Sequence, residues 1–422
     1  MINISELRLY DEQNAIKHVR TLSFKRLAAT GGETKTINYI LKELGKEKVE
    51  AKVESFVWTS TFSIFRKLIS LWSFVFILIT QIILLYPNVS WIILPLDVLF
   101  FIVLFSLIKV IYDHTRMVFI GKKMESKNAI VTIQATDLYP RRPVVVFSAH
   151  HDSVSSNLPT KILMMLMLSA LFILFLYLLI NLALSIWSII ALFSIVQIDI
   201  SYVIMRNLSL IIGSILLIED FVTFFIKNTN HSVGSIDNAS GTAILLELAK
   251  LVKKNPLVKT DVIFLWCGAE EMGHWGSKQY LSKHLEELDY DYDLNKSYNI
   301  NIDMVGTYVS IVDETGLIKK KKLNKNVNDV LKASAIQLKI PLKKASIAFG
   351  TGSDHLVFRS FTKKAEKPDF QVSCFLSKDN SKYIHSKKDL PELCSATNLN
   401  ACIDICFNTI KSLDLRVDSS KY

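Results

Sequence analysis

The sequence predicts an α/β sandwich into which transmembrane helices are inserted in two blocks. Three observations predict it. The run VVVFSA, Val144 to Ala149, is a buried-strand pattern that ends in His150, His151 and Asp152, and chemistry-bearing residues at the carboxyl end of a buried strand suit an open α/β sheet. Strand and helix signals alternate through the polar parts of the chain, the order expected of α/β architecture. Two long apolar blocks, Lys67 to Lys109 and Lys161 to Lys227, interrupt those signals, and each is long enough to cross a bilayer more than once.

Composition agrees with the insertions. Of the 422 residues, 50% are hydrophobic, too many for a wholly soluble protein. The first block reads as two spanning segments, 68–86 and 91–108, separated by a Pro-Asn turn at Pro87-Asn88. Between Lys161 and Lys227 the only charges are Asp199, Arg206, Glu219 and Asp220, with length for three segments, 162–180, 182–198 and 208–226. The polar first 60 residues predict no cleavable signal peptide. Five cysteines, an odd number without zinc-finger spacing, fit a reducing compartment. The net charge of +10 does not point to nucleic acid, because the basic residues flank the apolar blocks (Arg66, Lys67, Lys109, Lys161, Lys227) and crowd into the run at 319–322. Membrane topology and an anionic lipid surface account for that pattern, so the predicted partner is a lipid bilayer and not a nucleic acid.

Five pieces follow in order: 1–62, the transmembrane hairpin 63–111, 112–160, the second transmembrane insertion 161–227, and 228–422. The first holds a helix, Glu33 to Glu47, and an alternating strand, Val49 to Trp58. The third offers strands at Ala129 to Ile133 and Val144 to Ala149. The last opens with DNASGTAILLELAKLVKKN, a helix start followed by apolar residues at helical spacing, and continues with DVIFLWCGAEEMG, a buried strand running into acids. YNINIDMVG and VSCFLS are further short strands between helical stretches.

Four polar clusters line up with the opening one: SIDNASG with Asp237, CGAEEMGHWGS with Glu270 and Glu271, NIDMVG with Asp303, and YIHSKKD with His385. Several end a strand or open a helix, where side chains converge above a sheet edge. His150, Asp237, Glu271, Asp303 and His385 form an imidazole and carboxylate set suited to zinc or a similar cation. Two histidines and three carboxylates exceed the three protein ligands of one catalytic zinc; with one carboxylate shared they provide three each for two metals. Asp152, in His-x-Asp, is placed to accept a hydrogen bond from the ligating imidazole and fix its tautomer.

The ordered motifs AHHDS, DNASG, GAEEMGHWGS, NIDMVG and IHSKKD resemble the M28 family of di-zinc exopeptidases, of the bacterial aminopeptidase type. LSFKRLAATGGETKTINYILKELG, Leu22 to Gly45, is similar to the family's first helix. The resemblance implies a mixed β-sheet sandwiched by helices, a peptide substrate and two zinc ions. By position it makes Asp237 the bridging carboxylate, gives His150 and Asp303 to one metal and Glu271 and His385 to the other, and makes Glu270 the general base. The family often has Tyr immediately before the last ligand histidine; here that position is Ile384, with Tyr383 one residue further away.

Blander readings apply elsewhere. His151 reads as a wall of the site; His274 and His231 read as local hydrogen-bonding or surface residues. SDHLVF, Ser353 to Phe358, reads as a helix start capped by Ser353 or Asp354. Cys402 and Cys406, at i,i+4, read as one inward face of a terminal helix. The ligands must meet on one side of a bilayer, because paired metals sit about 3.5–4 Å apart, so each insertion must cross an even number of times. The second block is therefore expected to cross twice, its last segment being interrupted by Glu219-Asp220 and one apolar piece lying in the interface or re-entering. Positive flanks put the site in the cytoplasm. Three rivals stand beside a membrane-bound aminopeptidase: a glutaminyl-cyclase-like acyltransferase, for which the resemblance implies one metal; a non-catalytic receptor or scaffold, disfavoured by retention of Glu270; and a transporter. The sequence sets no oligomeric state.

Overall fold

The computed structural model describes residues 11–137, 139–193, 198–315, 320–347, 352–367 and 369–417. Residues 1–10, 194–197 of the predicted segment 182–198, Lys319 of the lysine run and residues 418–422 lie outside the described residues. The chain divides into two compact units, one built from Met1–Thr59, His114–Ser155 and Asn228–Tyr422, the other from Ser60–Asp113 and Ser156–Lys227.

From the amino end come α1 (Asn14–Leu22), α2 (Gly31–Gly45), β1 (Lys52–Thr59), α3 (Thr61–Leu84), α4 (Ile93–Tyr112), β2 (Lys123–Ile133) and β3 (Val144–His150). The two-residue strands β4 (Ser155–Ser156) and β5 (Asn228–Thr229) flank α5 (Thr160–Leu192) and α6 (Ile200–Phe224). Then follow α7 (Ser240–Lys254), β6 (Asp261–Cys267), α8 (Trp275–Asp291), β7 (Tyr298–Ile302), β8 (Ser310–Thr315) and β9 (Lys321–Lys322). The chain continues through α9 (Lys325–Gln337), β10 (Lys343–Ile347), α10 (Asp354–Lys364), β11 (Gln371–Phe375) and α11 (Ala396–Leu415).

The first unit is a mixed nine-stranded sheet in the order β1-β2-β6-β3-β7-β11-β8-β10, with β9 on β8. Its centre is parallel: β3 lies between β6 and β7, His150 pairing with Cys267 and Phe147 with Ile300, and β11 runs parallel to β7. Every residue of β3 is buried, and its apolar side chains alternate between two cores. Val145, Phe147 and Ala149 join α1, α2, α7 and α11 on one face, while Val144 and Val146 join α8 and α10 on the other. Phe147, Phe264 and Trp266 are fully buried; cutting any of them to Ala costs about 3–5 kcal/mol. The carboxyl ends of β3, β6 and β7 therefore emerge side by side, which carries His150, the Glu270-Glu271 pair and Asp303 to one edge of the sheet.

The second unit packs four helices that are long and apolar enough to cross a membrane: Thr61–Leu84, Pro87–Tyr112, Lys161–Leu192 and Ile200–Phe224. Its outward positions are large and apolar; Phe105 is 65% and Ile218 65% exposed, a surface suited to hydrocarbon and not to water. Inside, polar side chains bond across helices. The Thr80 and Tyr177 hydroxyls lie 2.6 Å apart, Ser209 donates to Asn181 (2.6 Å) and Tyr202 to Ser90 (2.8 Å). Such bonds and close backbone approach join helices where no hydrophobic drive separates them from lipid.

Two expectations for the second block are corrected. Segment 162–180 and the start of 182–198 form one continuous helix, because nothing between Lys161 and Leu192 is a proline or glycine to break it. Its length is about 50 Å, and among the described residues the block holds two long helices rather than three segments. Nor do Glu219 and Asp220 interrupt α6: Ser169 of α5 donates to Glu219 (2.9 Å), and the helix runs on to Phe224.

Close packing at α8 gives a test of the fold. A Cβ on Gly276 would stand 2.5 Å from the Gly268 carbonyl oxygen, just past β6, and 2.6 Å from Asn128 Oδ1, which is held by the Gly268 N–H. Gly276→Ala is expected to destabilise the first unit by about 1–3 kcal/mol, seen as a lowered thermal midpoint in detergent; an unchanged midpoint would contradict the α8 docking described.

Candidate metal centre

The site grows from the carboxyl edge of the parallel strands. His150 ends β3 and is 1% exposed. Its Nε2 stands 3.0 Å from Asp237 Oδ1, 3.5 Å from Asp303 Oδ1 and 3.9 Å from Glu270 Oε2. On the far side of Asp237, its Oδ2 is 3.1 Å from His385 Nε2, which lies 3.0 Å from Glu271 Oε2. Two groups of potential ligands result, His150-Asp237-Asp303 and Asp237-Glu271-His385, each with its ligand atoms within 4.8 Å of one another, and Asp237 belongs to both.

Backbone bonds hold these side chains in place. The Asp389 carboxylate accepts from the Ile236 N–H (2.6 Å) and the Asp237 N–H (3.2 Å). Asn238 donates to the Ile302 carbonyl (2.8 Å) and accepts from the Gly241 N–H (2.8 Å), tying the Asp237 turn to the end of β7 where Asp303 sits. Gly241 permits that approach, since a Cβ there would meet the Ile302 oxygen at 2.3 Å. The turn after β6 is tight: the Gly273 and His274 N–H groups both donate to the Glu270 carbonyl, and Ala269 (φ 51) and His274 (φ 59) take left-handed backbone, a conformation that costs non-glycine residues energy.

Asp152 departs from its expected bond. It lies 3.4 Å from His150 Nδ1, longer than a good charge-assisted hydrogen bond. Its oxygens accept instead from the N–H groups of Glu270 (3.1 Å) and Glu271 (3.2 Å), because the turn after β6 presents two parallel donors to it. Asp152 thus positions the acidic pair.

Arg26 was not singled out from the sequence, although it stands within LSFKRLAATGG. It is 1% exposed and donates to the carbonyls of His151 (3.0 Å), Val233 (2.6 Å), Gly234 (2.8 Å), Phe24 (3.1 Å) and Leu22. One guanidinium therefore joins the loop after His150 to the loop before Asp237. Asp389 stands within the quoted IHSKKD and was likewise unassigned. Glu33 is a third omission: its carboxylate accepts from the Ala29 N–H (2.6 Å) and the Ser126 hydroxyl (3.0 Å) beside Gly268.

The bland readings fare unevenly. His151 is fully buried, with Nε2 2.9 Å from the Lys127 carbonyl, a wall and not a member of either ligand group. His231 is exposed. His274 is a local partner as expected, its Nε2 lying 3.3 Å from Oε1 of Glu270, four residues before it. The helix at Ser353 begins as expected, but without a side-chain cap: Ser353 accepts from Asn301 (2.8 Å) and Asp354 from Ser277 (2.6 Å). Ile384 is buried in the core and Tyr383 packs against it. Cys402 and Cys406 are buried on α11.

Electrostatics call for positive charge at this centre. Burial pushes the Glu271 carboxyl up to about 7, with Asp237 adding to the rise and His385 opposing it. Burial, with Glu271, Asp354 and Asp303, raises Glu270 well above the ordinary range against the pull of His150. Burial opposes charge on Asp237 too, yet the bonds from His150 and His385 keep its carboxyl below the ordinary range. Burial alone would lower the pKa of His150, but Glu270, Asp152, Asp237 and Asp303 raise it well above 6.5. Asp303 Oδ1 and Glu271 Oε1 are buried without a hydrogen-bond donor, and oxygens of that kind are met by a cation. The ligand atoms present fit metal ions on this ground.

Fold and site together define a class: a mixed α/β sheet with paired imidazole and carboxylate groups at its parallel edge, the fold of zinc aminopeptidases. Residues 220–410 match the family model described as Peptidase family M28. Aminopeptidase YwaD of Bacillus subtilis (strain 168) is 34% identical over 139 residues, 33% of this chain and 29% of that protein, so the alignment spans under a third of that relative. Among solved structures, the chain is similar to BSAP, a zinc aminopeptidase from Bacillus subtilis (TM-score 0.52, 15% identity, 96% of this chain and 95% of that one). It is also similar to a Fimbriiglobus ruber glutaminyl cyclase (TM-score 0.53, 12% identity, 96% of each chain). These structural likenesses are of fold.

Glu33 offers a pH test of the site's scaffold. Burial and then Asp152 raise its pKa from 4.5 to about 7. The folded protein thus holds the Glu33 proton more tightly than the unfolded chain, and ionising Glu33 costs stability. That cost is absent below pH 4.5, grows as pH rises toward 7 and is constant above it. Glu33→Gln is expected to stabilise the protein by about 1–3 kcal/mol at pH 8 and by nearly nothing at pH 4.5. Thermal melts of both proteins at the two pH values check this; an equal difference at both would remove ionisation as the cause.

Proposed function

We propose that this protein is a membrane-bound metallo-aminopeptidase that hydrolyses peptide bonds at peptide N-termini. The observation that carries the reading is the pair of ligand groups sharing Asp237, with the Glu270 carboxylate directed at them. Two zinc ions, one held by His150 and Asp303, the other by Glu271 and His385, with Asp237 common to both, would supply Lewis acidity toward a water and a peptide carbonyl.

Glu270 is the general base. Its Oε2 faces the ligand cluster, where it takes a proton from the attacking water and passes it to the leaving amine. Asp152 keeps Glu270 and Glu271 apart in direction: by binding both N–H groups it fixes a turn on which one carboxylate reaches His385 and the other reaches the His150 side. The complete second group, Glu271 with His385, supports hydrolysis over the acyl transfer of a glutaminyl-cyclase-like enzyme, and the presence of Glu270 supports catalysis over a scaffold.

Four spans in two hairpins bring each insertion back to the side it left, so the polar segments that carry the ligands share one face of the bilayer. Arg66, Lys67, Lys109, Lys161 and Lys227 flank the spans on that side, and the positive-inside tendency makes it the cytoplasm.

Hydrolysis of aminoacyl amides by the full chain in detergent tests the reading. Glu270→Gln is expected to lower kcat by about 10²–10⁴-fold with little change in KM. Chelation is expected to abolish activity and added zinc to restore it. Equal rates for wild type and Glu270→Gln would remove Glu270 as base, and inactivity of the zinc-replete protein on every peptide would favour the scaffold.

A further inference from the structure

The metal centre is open on one side. His150, Asp237, Glu270 and Asp303 are all under 10% exposed, whereas the His385 side chain is 31% exposed. Substrate therefore enters and leaves past His385, and the residues around it meet the part of a peptide that projects from the site.

Those residues are basic. Lys382, Lys387 and Lys388 flank His385 and are exposed, as is Lys378 at the start of the same segment. The rim continues across the neighbouring loop. Lys378 donates to the Ser346 carbonyl of β10 (2.7 Å), and Lys343 of the same strand lies 4.3 Å from the Tyr308 ring centre. Tyr308 belongs to the segment that follows Asp303, and its hydroxyl accepts from the Asp379 N–H (2.8 Å). The loop after Asp303 thus meets the segment that leads into His385, where Lys343, Lys378 and Lys382 are exposed with Asp379, and Lys387 and Lys388 follow His385 directly. Asp389, next in sequence, does not offset the charge outside, because it is fully buried and turned toward the Ile236 and Asp237 N–H groups. Among the described residues these lysines make no ion pair of the kind Lys332 makes with Asp313 (2.6 Å).

We propose that this lysine rim selects peptides that carry acidic side chains on the carboxyl side of the bond to be cut. The inference rests on the aminopeptidase reading: the free amine and first residue occupy the buried centre, and the following residues cross the rim. A positive rim over a low-dielectric cleft concentrates an anionic chain and speeds its encounter. Exposed lysines exert that attraction through solvent, so it fades with salt, over a screening length of about 8 Å at physiological ionic strength. The rim therefore acts on kcat/KM at low salt and leaves the chemical step alone.

The test compares three peptides with the same first two residues, Leu-Ala, followed by Glu-Glu, Gln-Gln or Lys-Lys, on the full chain in a neutral detergent. The Glu-Glu peptide is expected to be cut with a kcat/KM about tenfold or more above the Lys-Lys peptide at low salt, with the difference collapsing near 0.5 M salt. Lys387→Glu/Lys388→Glu is expected to reverse the order while leaving the rate on Leu-amide, which does not reach the rim, unchanged. Cleavage of all three peptides at equal kcat/KM would overturn the proposal and leave the peptidase reading standing.

Binding separates the two the other way. Fluorescein-labelled Leu-Ala-Glu-Glu and Leu-Ala-Lys-Lys are titrated onto the Glu270→Gln protein and followed by anisotropy. Tighter, salt-sensitive binding of the acidic peptide that is lost in the double lysine variant supports the rim even where no peptide is hydrolysed. Binding of neither peptide, together with rim lysines that become protected from acylation only in nanodiscs of anionic lipid, would assign the rim to the bilayer and overturn its role in peptide selection.

Discussion

Like-charge crowding is the constraint on which the rest of this structure depends. Asp152, Asp237, Glu270, Glu271 and Asp303 share a buried space with two imidazoles, and Glu33, Asp354 and Asp389 stand close behind them. Buried carboxylates at such distances repel strongly, and the His150 and His385 imidazoles offset only part of that repulsion, since Glu270 and Glu271 stay raised. The geometry of the cluster is held by bonds to the backbone: by Arg26 on the carbonyls of two loops, by Asp152 and Asp389 on pairs of N–H groups, and by Asn238 between the Asp237 turn and β7. Arg26 also brings permanent charge to the interior. Burial lowers its pKa to about 10, against the pull of Asp389 and Asp152, and even there it remains a cation at neutral pH.

How much of this was legible in the sequence depends on the range of the interaction involved. The strand at Val144 to Ala149 was readable because a short run of apolar residues is a local pattern, and the structure buries every residue of it. The acids that end β6 and β7 were readable for the same reason. Sheet order was not, because β2 and β3 both pair with β6 and nothing in any one strand names its neighbour. Helix α1 went unread: only nine residues long, it takes its place from packing against α7 and α11. The residues that hold the site were hidden more deeply. Arg26 acts on carbonyls 207 and 208 positions away, and a bond to a backbone oxygen leaves no trace in the identity of the residue that accepts it. Asp389 escaped likewise.

The second unit meets its own constraint by the opposite means. Its helices face outward with Phe, Leu and Ile; in the bilayer proposed for them these give no preference for one another over lipid, so specificity falls to the inward polar atoms. Gln81 shows the precision required. Its amide donates to the Leu210 carbonyl (2.9 Å), and a Cβ on Gly213 would come within 2.4 Å of the amide nitrogen. A small residue on α6 and a polar one on α3 therefore make a single contact, and neither has meaning alone.

The discontinuity of the first unit governs how it can be made. Strands β1 and β2 are partners across one apolar hairpin, and β3 must await β6 from beyond the other. A ribosome therefore delivers four hydrophobic helices before the sheet has its centre, and His385 is the last of the ligand residues to emerge. The growing polypeptide carries those residues on separate polar stretches, and they come together only after His385 has been made.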